Sequence, residues 1–228
     1  MKLITTTLLF ICAFAFAQAQ TKINLPLKHE LDSMYVLDQH YRELTSIKLN
    51  SNKVDSLTKL YGVNKTDLTN HIWKLQTEAD SSNVRRVEAI IKQYGYPGKT
   101  LVGEPTNEAA FFVLQHSTII DKYLSLIENA AKEKQLPFRL YAMMKDRSLM
   151  YNNKEQIWGT QAKGMNVVNK EISKPRWTFF IWPVIAPANV NQRRKEAGFP
   201  DTAEENAKRM GITYKVYTLE QALKGQID

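Results

Sequence analysis

The chain has 228 residues, of which 43% are hydrophobic and 10% aromatic, a globular composition that excludes a disordered polymer. Its formal net charge of +8 favours anionic partners. The basic clusters Arg85-Arg86 and Arg193-Arg194-Lys195 are short and lack interleaved aromatic residues, so no nucleic-acid partner is expected.

Met1 to Ala19 read as an export signal. Lys2 supplies the positive start, Leu8 to Phe16 a short apolar run, and Ala17-Gln18-Ala19 the small-x-small pattern of a cleavage site. The apolar run is too short to span a bilayer, so no transmembrane segment is expected after cleavage. The mature chain would begin at Gln20 and work in the periplasm or outside the cell. Cys12, the only cysteine, follows bulky Phe10 and Ile11, which does not suit lipidation. The mature chain would then contain no thiol and no disulfide.

From Pro26 the pattern is helical. Leu27, Leu31, Met34, Asp38, Tyr41 and Leu44 form one face of an amphipathic helix. A shorter helix carries Val54, Leu57 and Leu60 and stops at Gly62. Another runs from Thr66 through Leu68, Ile72 and Leu75, and Ser81, Ser82 and Asn83 offer caps for a following helix through Val84, Val87, Ile90, Ile91 and Tyr94. Gly95-Tyr96-Pro97-Gly98 is a turn. A long helical pattern then carries Ala109, Phe112, His116, Ile120, Tyr123, Ile127 and Ala130. Thr118 and Asp121 have the spacing of a capping box, which leaves one helix or two open. Pro137 suits the first turn of a helix with Phe138, Ala142, Asp146 and Leu149 on one face.

Near Tyr151 the texture changes. Gln156-Ile157-Trp158-Gly159, Asn166-Val167-Val168 and Trp177 to Trp182 are β-branched or aromatic runs between turn formers, which predicts a small antiparallel sheet. Thr202 with Glu205 and Thr218 with Gln221 mark two short closing helices. The expected fold is α+β and predominantly helical, an N-terminal helical layer with a small C-terminal sheet. Residues 20–228 form one domain in this reading, with a possible subdomain shift near 151.

Asp38, His116 and Asp146 each fall where the helical period calls for an apolar side chain. An unpartnered buried polar group costs roughly 1–3 kcal/mol, so each must find a partner. Arg42 lies one turn after Asp38, Arg147 follows Asp146, and Gln39 and Gln115 adjoin the interrupted positions. The expectation is that Asp38, His116 and Asp146 converge where the helices meet, with Gln161 brought in from the sheet side. Two readings are open. The cluster is a hydrogen-bond and ion-pair network that orders packing, or it lines a pocket in which His116 moves a proton and a carboxylate orients its ring.

Neither a G-x-S-x-G elbow, an H-E-x-x-H helix nor a phosphate-binding G-x-x-x-x-G-K-[ST] loop is present, and the four histidines have no paired ligand spacing. No cofactor or metal is expected. Ser117 adjoins His116 on the helix and points away from it, which argues against a Ser-His dyad. Gly159-Thr160-Gln161 is a strand-end turn or a ligand-binding loop. Trp177, Phe179, Phe180 and Trp182 are core packing or an open aromatic face, and Arg193 and Arg194 are salt-bridged surface residues or a carboxylate clamp.

In order along the chain, Asp38-Gln39-x-x-Arg42, Tyr94-Gly95-Tyr96-Pro97-Gly98, Val102-Gly103, Gln115-His116, Asp146-Arg147, Gly159-Thr160-Gln161 and Asn189-Val190-Asn191-Gln192-Arg193-Arg194 resemble an uncharacterised bacterial family, often exported and classed as a domain of unknown function. The resemblance spans roughly Asp38 to Phe199. The chain departs from it at Tyr96, where the family usually has tryptophan, and near Asn191, where it usually has an acidic residue. The resemblance implies Gln115, His116, Asp146, Arg147 and Gln161 as site residues and no particular substrate. The functional expectation is an exported protein that binds a small polar or anionic ligand at the helix–sheet junction, using Asp38, Gln39, Arg42, Gln115, Arg147, Gln161, Arg193 and Arg194. One alternative is a metal-independent hydrolase with His116 as general base and Asp146 or Asp38 orienting it. The other is a structural or partner-binding component of the cell envelope.

Overall fold

The computed structural model describes residues 22–46, 49–168 and 175–227. The expected signal over Met1 to Ala19, with Cys12, lies outside the described residues. The fold is predominantly helical α+β. α1 (Leu25–Ser46) buries Leu27, Leu31, Met34 and Leu44 on the face that the sequence period marks, and Asp38 is buried in the same stripe. α2 (Ser51–Tyr61) is capped by Asn50, whose side chain accepts from the Lys53 N–H, and ends at Gly62 in the left-handed region. Leu60, expected on the buried face of α2, is exposed instead, and that helix meets the core through buried Leu57 with partly buried Val54 and Tyr61.

α3 (Leu68–Tyr94) is a single helix of 27 residues and corrects the expected break at Ser81 to Asn83. Those side chains do not cap. Ser81 donates back to the Thr77 carbonyl at 2.8 Å, and buried Asn83 donates across to the Met34 carbonyl of α1 at 3.3 Å. Polar residues that satisfy themselves in these ways leave the helix free to continue.

After the 95–98 turn come the short helix α4 (Lys99–Val102) and a 3-10 turn at Thr106–Glu108. The turn is packed, not loose. A Cβ on Gly98 would lie 2.5 Å from Cβ of Gln135, and Gln135 also accepts from the Thr100 N–H, while its carbonyl accepts from Asn107.

The long pattern around His116 resolves into two helices, α5 (Ala109–Gln115) and α6 (Ile120–Lys132). Ser117 makes the break. Its hydroxyl donates to the Leu114 carbonyl at 2.7 Å and accepts from the Ile119 N–H at 3.3 Å. The Thr118–Asp121 capping box does not form, because Asp121 accepts instead from Ser148 and Asn152 of the next helix and its cap, α7 (Phe138–Tyr151). The largest core lies between α1, α3, α5, α6 and α7, centred on residues such as Leu31, Val87, Ile90, Phe111, Ile127 and Met144.

β1 (Ala162–Val168) and β2 (Pro175–Ile181) form an antiparallel pair, with Gly164 opposite Phe179 and Asn166 opposite Trp177. Gln156 to Gly159, expected as a strand, contribute only one bridge from Gln156 to Val184. The reason is the Gln156 side chain, which behaves as a piece of backbone: its amide donates to the Gln161 and Trp182 carbonyls and its oxygen accepts from the Gln161 N–H. Val167, Phe180 and Trp182 pack with Tyr217 and Ile227, while Ile181 packs with Ala203 and Ala207. α8 (Val190–Glu196) has no counterpart in the sequence reading. α9 (Ala203–Arg209) and α10 (Leu219–Leu223) start at the two expected capping boxes. No described helix is long and apolar enough to cross a membrane.

Candidate functional site

The polar interruptions sort into two separate groups. The first joins α1, α3 and the α5–α6 break. Asp38, with its side chain 1% exposed, accepts from Gln39 Nε2 at 2.7 Å, from Arg42 Nη2 at 3.0 Å and from Arg42 Nε at 3.3 Å. Arg42 Nη2 also donates to Asp80 Oδ1 of α3 at 2.5 Å, so one guanidinium bridges two carboxylates. His116 Nδ1 lies 3.7 Å from Asp38 Oδ2, in line with an ion pair and too long for a hydrogen bond. Nδ1 is buried and has no hydrogen-bond partner among the described residues, whereas the His116 side chain as a whole is 20% exposed. The imidazole therefore turns its Nδ1 edge to the carboxylate and opens elsewhere.

Arg147 of α7 is linked to this group through the charge of Arg42. It is partly buried, its Nε has no acceptor among the described residues, and it is within electrostatic reach of Arg42 and Tyr151. Burial holds its guanidinium below the usual arginine value, the nearby Tyr151 opposes that, and the positive charge of Arg42 adds to it. Burial works to raise the Asp38 carboxyl, but His116 and Arg42 outweigh it and hold the group below the ordinary aspartate value. Asp80 moves the other way: burial lifts it, and the Asp38 charge adds to the lift against the pull of Arg42.

The second group lies at the helix–sheet junction. Asp146, with no exposed surface, accepts at Oδ1 from the Ile157 N–H at 2.7 Å and at Oδ2 from the Thr160 N–H at 3.1 Å and the Thr160 hydroxyl at 3.0 Å. The Trp158 N–H points between the two oxygens. Burial pushes this carboxyl up to about 6 while the donors from 157, 158 and 160 hold it down. Gln161 adds donors to the Met143 carbonyl and the Thr160 hydroxyl oxygen. Asp146 thus clamps the loop that precedes β1, and none of its hydrogen bonds runs to His116. The structure brings Asp38, Gln39, Arg42 and His116 together, adds Asp80, and places Asp146 and Gln161 in a different set.

Arg193 and Arg194 close that second set from behind. Arg193 donates to the carbonyls of Ile157, Ala186 and Ile185. Arg194 is 1% exposed and donates to the Trp158 carbonyl, the Asp201 carbonyl and the Asp201 carboxylate. Both are structural cross-braces. Arg194 is buried and keeps an ion pair to Asp201, Arg193 is half-buried, and both spend most of their donors on backbone carbonyls in place of a surface pair or a ligand clamp. Gln115 is buried on α5, one residue before the break. In the β2 run, Phe180 and Trp182 are core, whereas Trp177 and Phe179 stand exposed on the opposite face.

Asp80 was not legible as a site residue, since it sits on a helix that looks uniformly polar around it. Its only signal is a four-residue step from Gln76, which is buried and meets Thr45 of α1. Among the described residues no group of three or more His, Cys, Asp or Glu is placed to hold a metal ion.

No curated protein and no solved structure matches the chain. A family model described as a family of unknown function, DUF6624, matches residues 65–217, about two thirds of the chain. That stretch contains Asp80, His116, Asp146, Arg147, Gln161, Arg193 and Arg194 but begins after α1, so Asp38, Gln39 and Arg42 lie outside it. On this match the chain belongs to DUF6624, a family of unknown function.

Proposed function

We propose that this is an exported protein that binds a small anionic ligand at the Asp38–Arg42–Asp80–His116–Arg147 group, among the helices and not at the helix–sheet junction. The observation that carries the reading is the pair of buried nitrogens, His116 Nδ1 and Arg147 Nε, that have no protein hydrogen-bond partner among the described residues. Arg147 Nε can only donate, and a buried donor without an acceptor costs roughly 1–3 kcal/mol. An oxygen of an anion satisfies it and offsets the buried charge of a guanidinium already depressed by burial. The Asp146 group supports no such reading, because its oxygens are filled by the chain itself.

Thermal shift of wild type and Arg147→Gln against acetate, lactate, sulfate and phosphate tests this. An anion that raises the melting temperature of wild type and not of the variant supports it. Equal shifts in both, or none in either, count against it.

A hydrolase reading has one observation in its favour, the buried Asp38 carboxylate behind the Nδ1 edge of His116. In that reading Asp38 is the orienting group and Asp146 is not, since Asp146 is committed to residues 157–160. Ser117 is not the nucleophile, because its hydroxyl donates to Leu114.

A further inference from the structure

A cleft of about 520 Å³ opens between the end of α3, the short helix α4 and the last turn of α6, and it shares no lining residue with the Asp38 group. Its size suits a small molecule. Its walls carry Tyr94, Tyr96, Thr100, Asn129, Glu133 and Gln135. Among the described residues that line it there is no lysine, arginine or histidine, although the chain as a whole carries +8. The one carboxylate in the wall, Glu133, turns an anion away.

The run Tyr94-Gly95-Tyr96-Pro97-Gly98, which the anion site does not use, builds one side. Tyr94 closes α3 and is 42% exposed. Gly95 follows at a φ of +73°, with open space where a Cβ would stand, so the rim beside the Tyr94 ring is bare. Tyr96 is half-buried; its hydroxyl donates to the Asn107 carbonyl at 2.6 Å, and Asn107 Nδ2 donates to the Gln135 carbonyl at 2.8 Å. The Gln135 amide oxygen accepts from the Thr100 N–H at 3.0 Å and the Thr100 hydroxyl at 2.9 Å, while Nε2 reaches the Glu133 carbonyl at a long 3.5 Å and keeps donor capacity. The chain itself therefore holds this wall in place before a ligand arrives.

On the facing side, Asn129 and Glu133 present an exposed amide and an exposed carboxylate. An open aromatic ring beside such groups suits a ligand with C–H bonds on one face and hydroxyls around its edge. The negative face of the ring attracts the polarised C–H bonds of a pyranose. Hydroxyls both donate and accept, so they satisfy amides that do the same and a carboxylate that only accepts. A nucleobase has fewer donors for that carboxylate, and a nucleotide adds charge of the wrong sign.

We infer that this cleft binds a neutral sugar ring, stacked on Tyr94 and held through its hydroxyls by Asn129, Glu133 and Gln135. The site is independent of the anion site.

The test is saturation-transfer NMR of the full-length protein with glucose, galactose and N-acetylglucosamine, and with glucuronate and adenosine as competitors of other chemistry. At least one neutral sugar is expected to bind saturably, with the C–H protons of one ring face receiving most of the transfer. Tyr94→Ala, checked for an unchanged melting profile, should weaken that binding about tenfold through loss of the stacking contact, while Tyr94→Phe keeps it. Asn129→Ala, at an exposed helix position, should weaken it as well, and Arg147→Gln should leave it unchanged. The inference is overturned if none of the three neutral sugars binds, if binding survives both Tyr94→Ala and Asn129→Ala, if glucuronate or adenosine binds more tightly than every neutral sugar, or if Arg147→Gln abolishes the sugar response. Loss of anion binding in Arg147→Gln with sugar binding intact separates the two sites.

Discussion

His116 Nδ1 stands 3.7 Å from Asp38 Oδ2, although the two residues are 78 positions apart in the chain and Asp38 already accepts from Gln39 and Arg42. The carboxylate is thus fixed before the imidazole meets it. Its hydrogen-bond partners Gln39 and Arg42 both come from α1, with Arg42 tied in turn to Asp80 of α3, while the histidine arrives from the break between α5 and α6. A ring placed at a helix break is held by its neighbours more than by its own helix, and here Ser117 makes the break.

Removing Asp38 strands Arg42 between a lost partner and Asp80, the carboxyl that burial already disfavours. Asp38→Ala is expected to destabilise by about 3 kcal/mol, in the range seen when one member of a buried ion pair is deleted. A double-mutant cycle with Arg42→Ala in urea should recover a coupling of about 1–3 kcal/mol. A coupling near zero would mean that the pair does not hold α1 in place.

Asp146→Ala leaves the N–H groups of Ile157, Trp158 and Thr160 without their acceptor and should cost about 2–4 kcal/mol at pH 7. Anion-dependent thermal shifts should survive in proportion to folded protein. Loss of anion response in a variant that still folds would place Asp146 in the binding site and contradict the division into two groups.

The same residue sets a pH dependence. Its carboxyl is pushed up to about 6 in the folded chain from an ordinary value near 3.8. Between those values the folded state binds more protons than the unfolded one. Stability from this group is therefore complete below about 4, lost as pH rises to about 6, and flat beyond. Asp38, held low, acts in the opposite sense and at lower pH: its contribution is present above the ordinary aspartate value and lost as pH falls through its folded value. Urea midpoints from pH 3 to 8 should show the fall between 4 and 6 in wild type and its absence in Asp146→Ala. An unchanged slope in the variant would assign the window to another carboxyl.

Arg194→Lys should be nearly as damaging as Arg194→Ala, at about 3 kcal/mol or more, because a single ammonium cannot reach Trp158, the Asp201 carbonyl and the Asp201 carboxylate at once. Denaturant unfolding of the two variants compares them directly. A lysine variant of near wild-type stability would show that charge alone, not the planar fork, matters there.

The helices were readable because their apolar spacing and caps are local: α1 shows its buried stripe, Gly62 its stop, and Thr202 and Thr218 their capping boxes. What escaped depends on partners distant in sequence. Ser81 and Asn83 look like caps until Asn83 is seen to reach the Met34 carbonyl. Gln156 looks like a strand residue because the Gln161 and Trp182 carbonyls it serves are 5 and 26 positions away. Polar residues in an apolar stripe marked Asp38, His116 and Asp146 as needing partners, and each has a place in a polar group. Spacing does not say which partner, so it does not separate Asp146, which serves residues 157–160, from His116, and it leaves Asp80, which meets Arg42 from another helix, unmarked.

The measurement that bears most directly on the anion site is a nitrogen-resolved NMR titration of the folded protein with acetate, following the Arg147 Nε–H and the His116 ring nitrogens in one sample. The account predicts that both shift with a single midpoint and that His116→Gln weakens the Arg147 response. An Arg147 Nε–H that stays still while acetate reaches concentrations that move exposed arginines would contradict it.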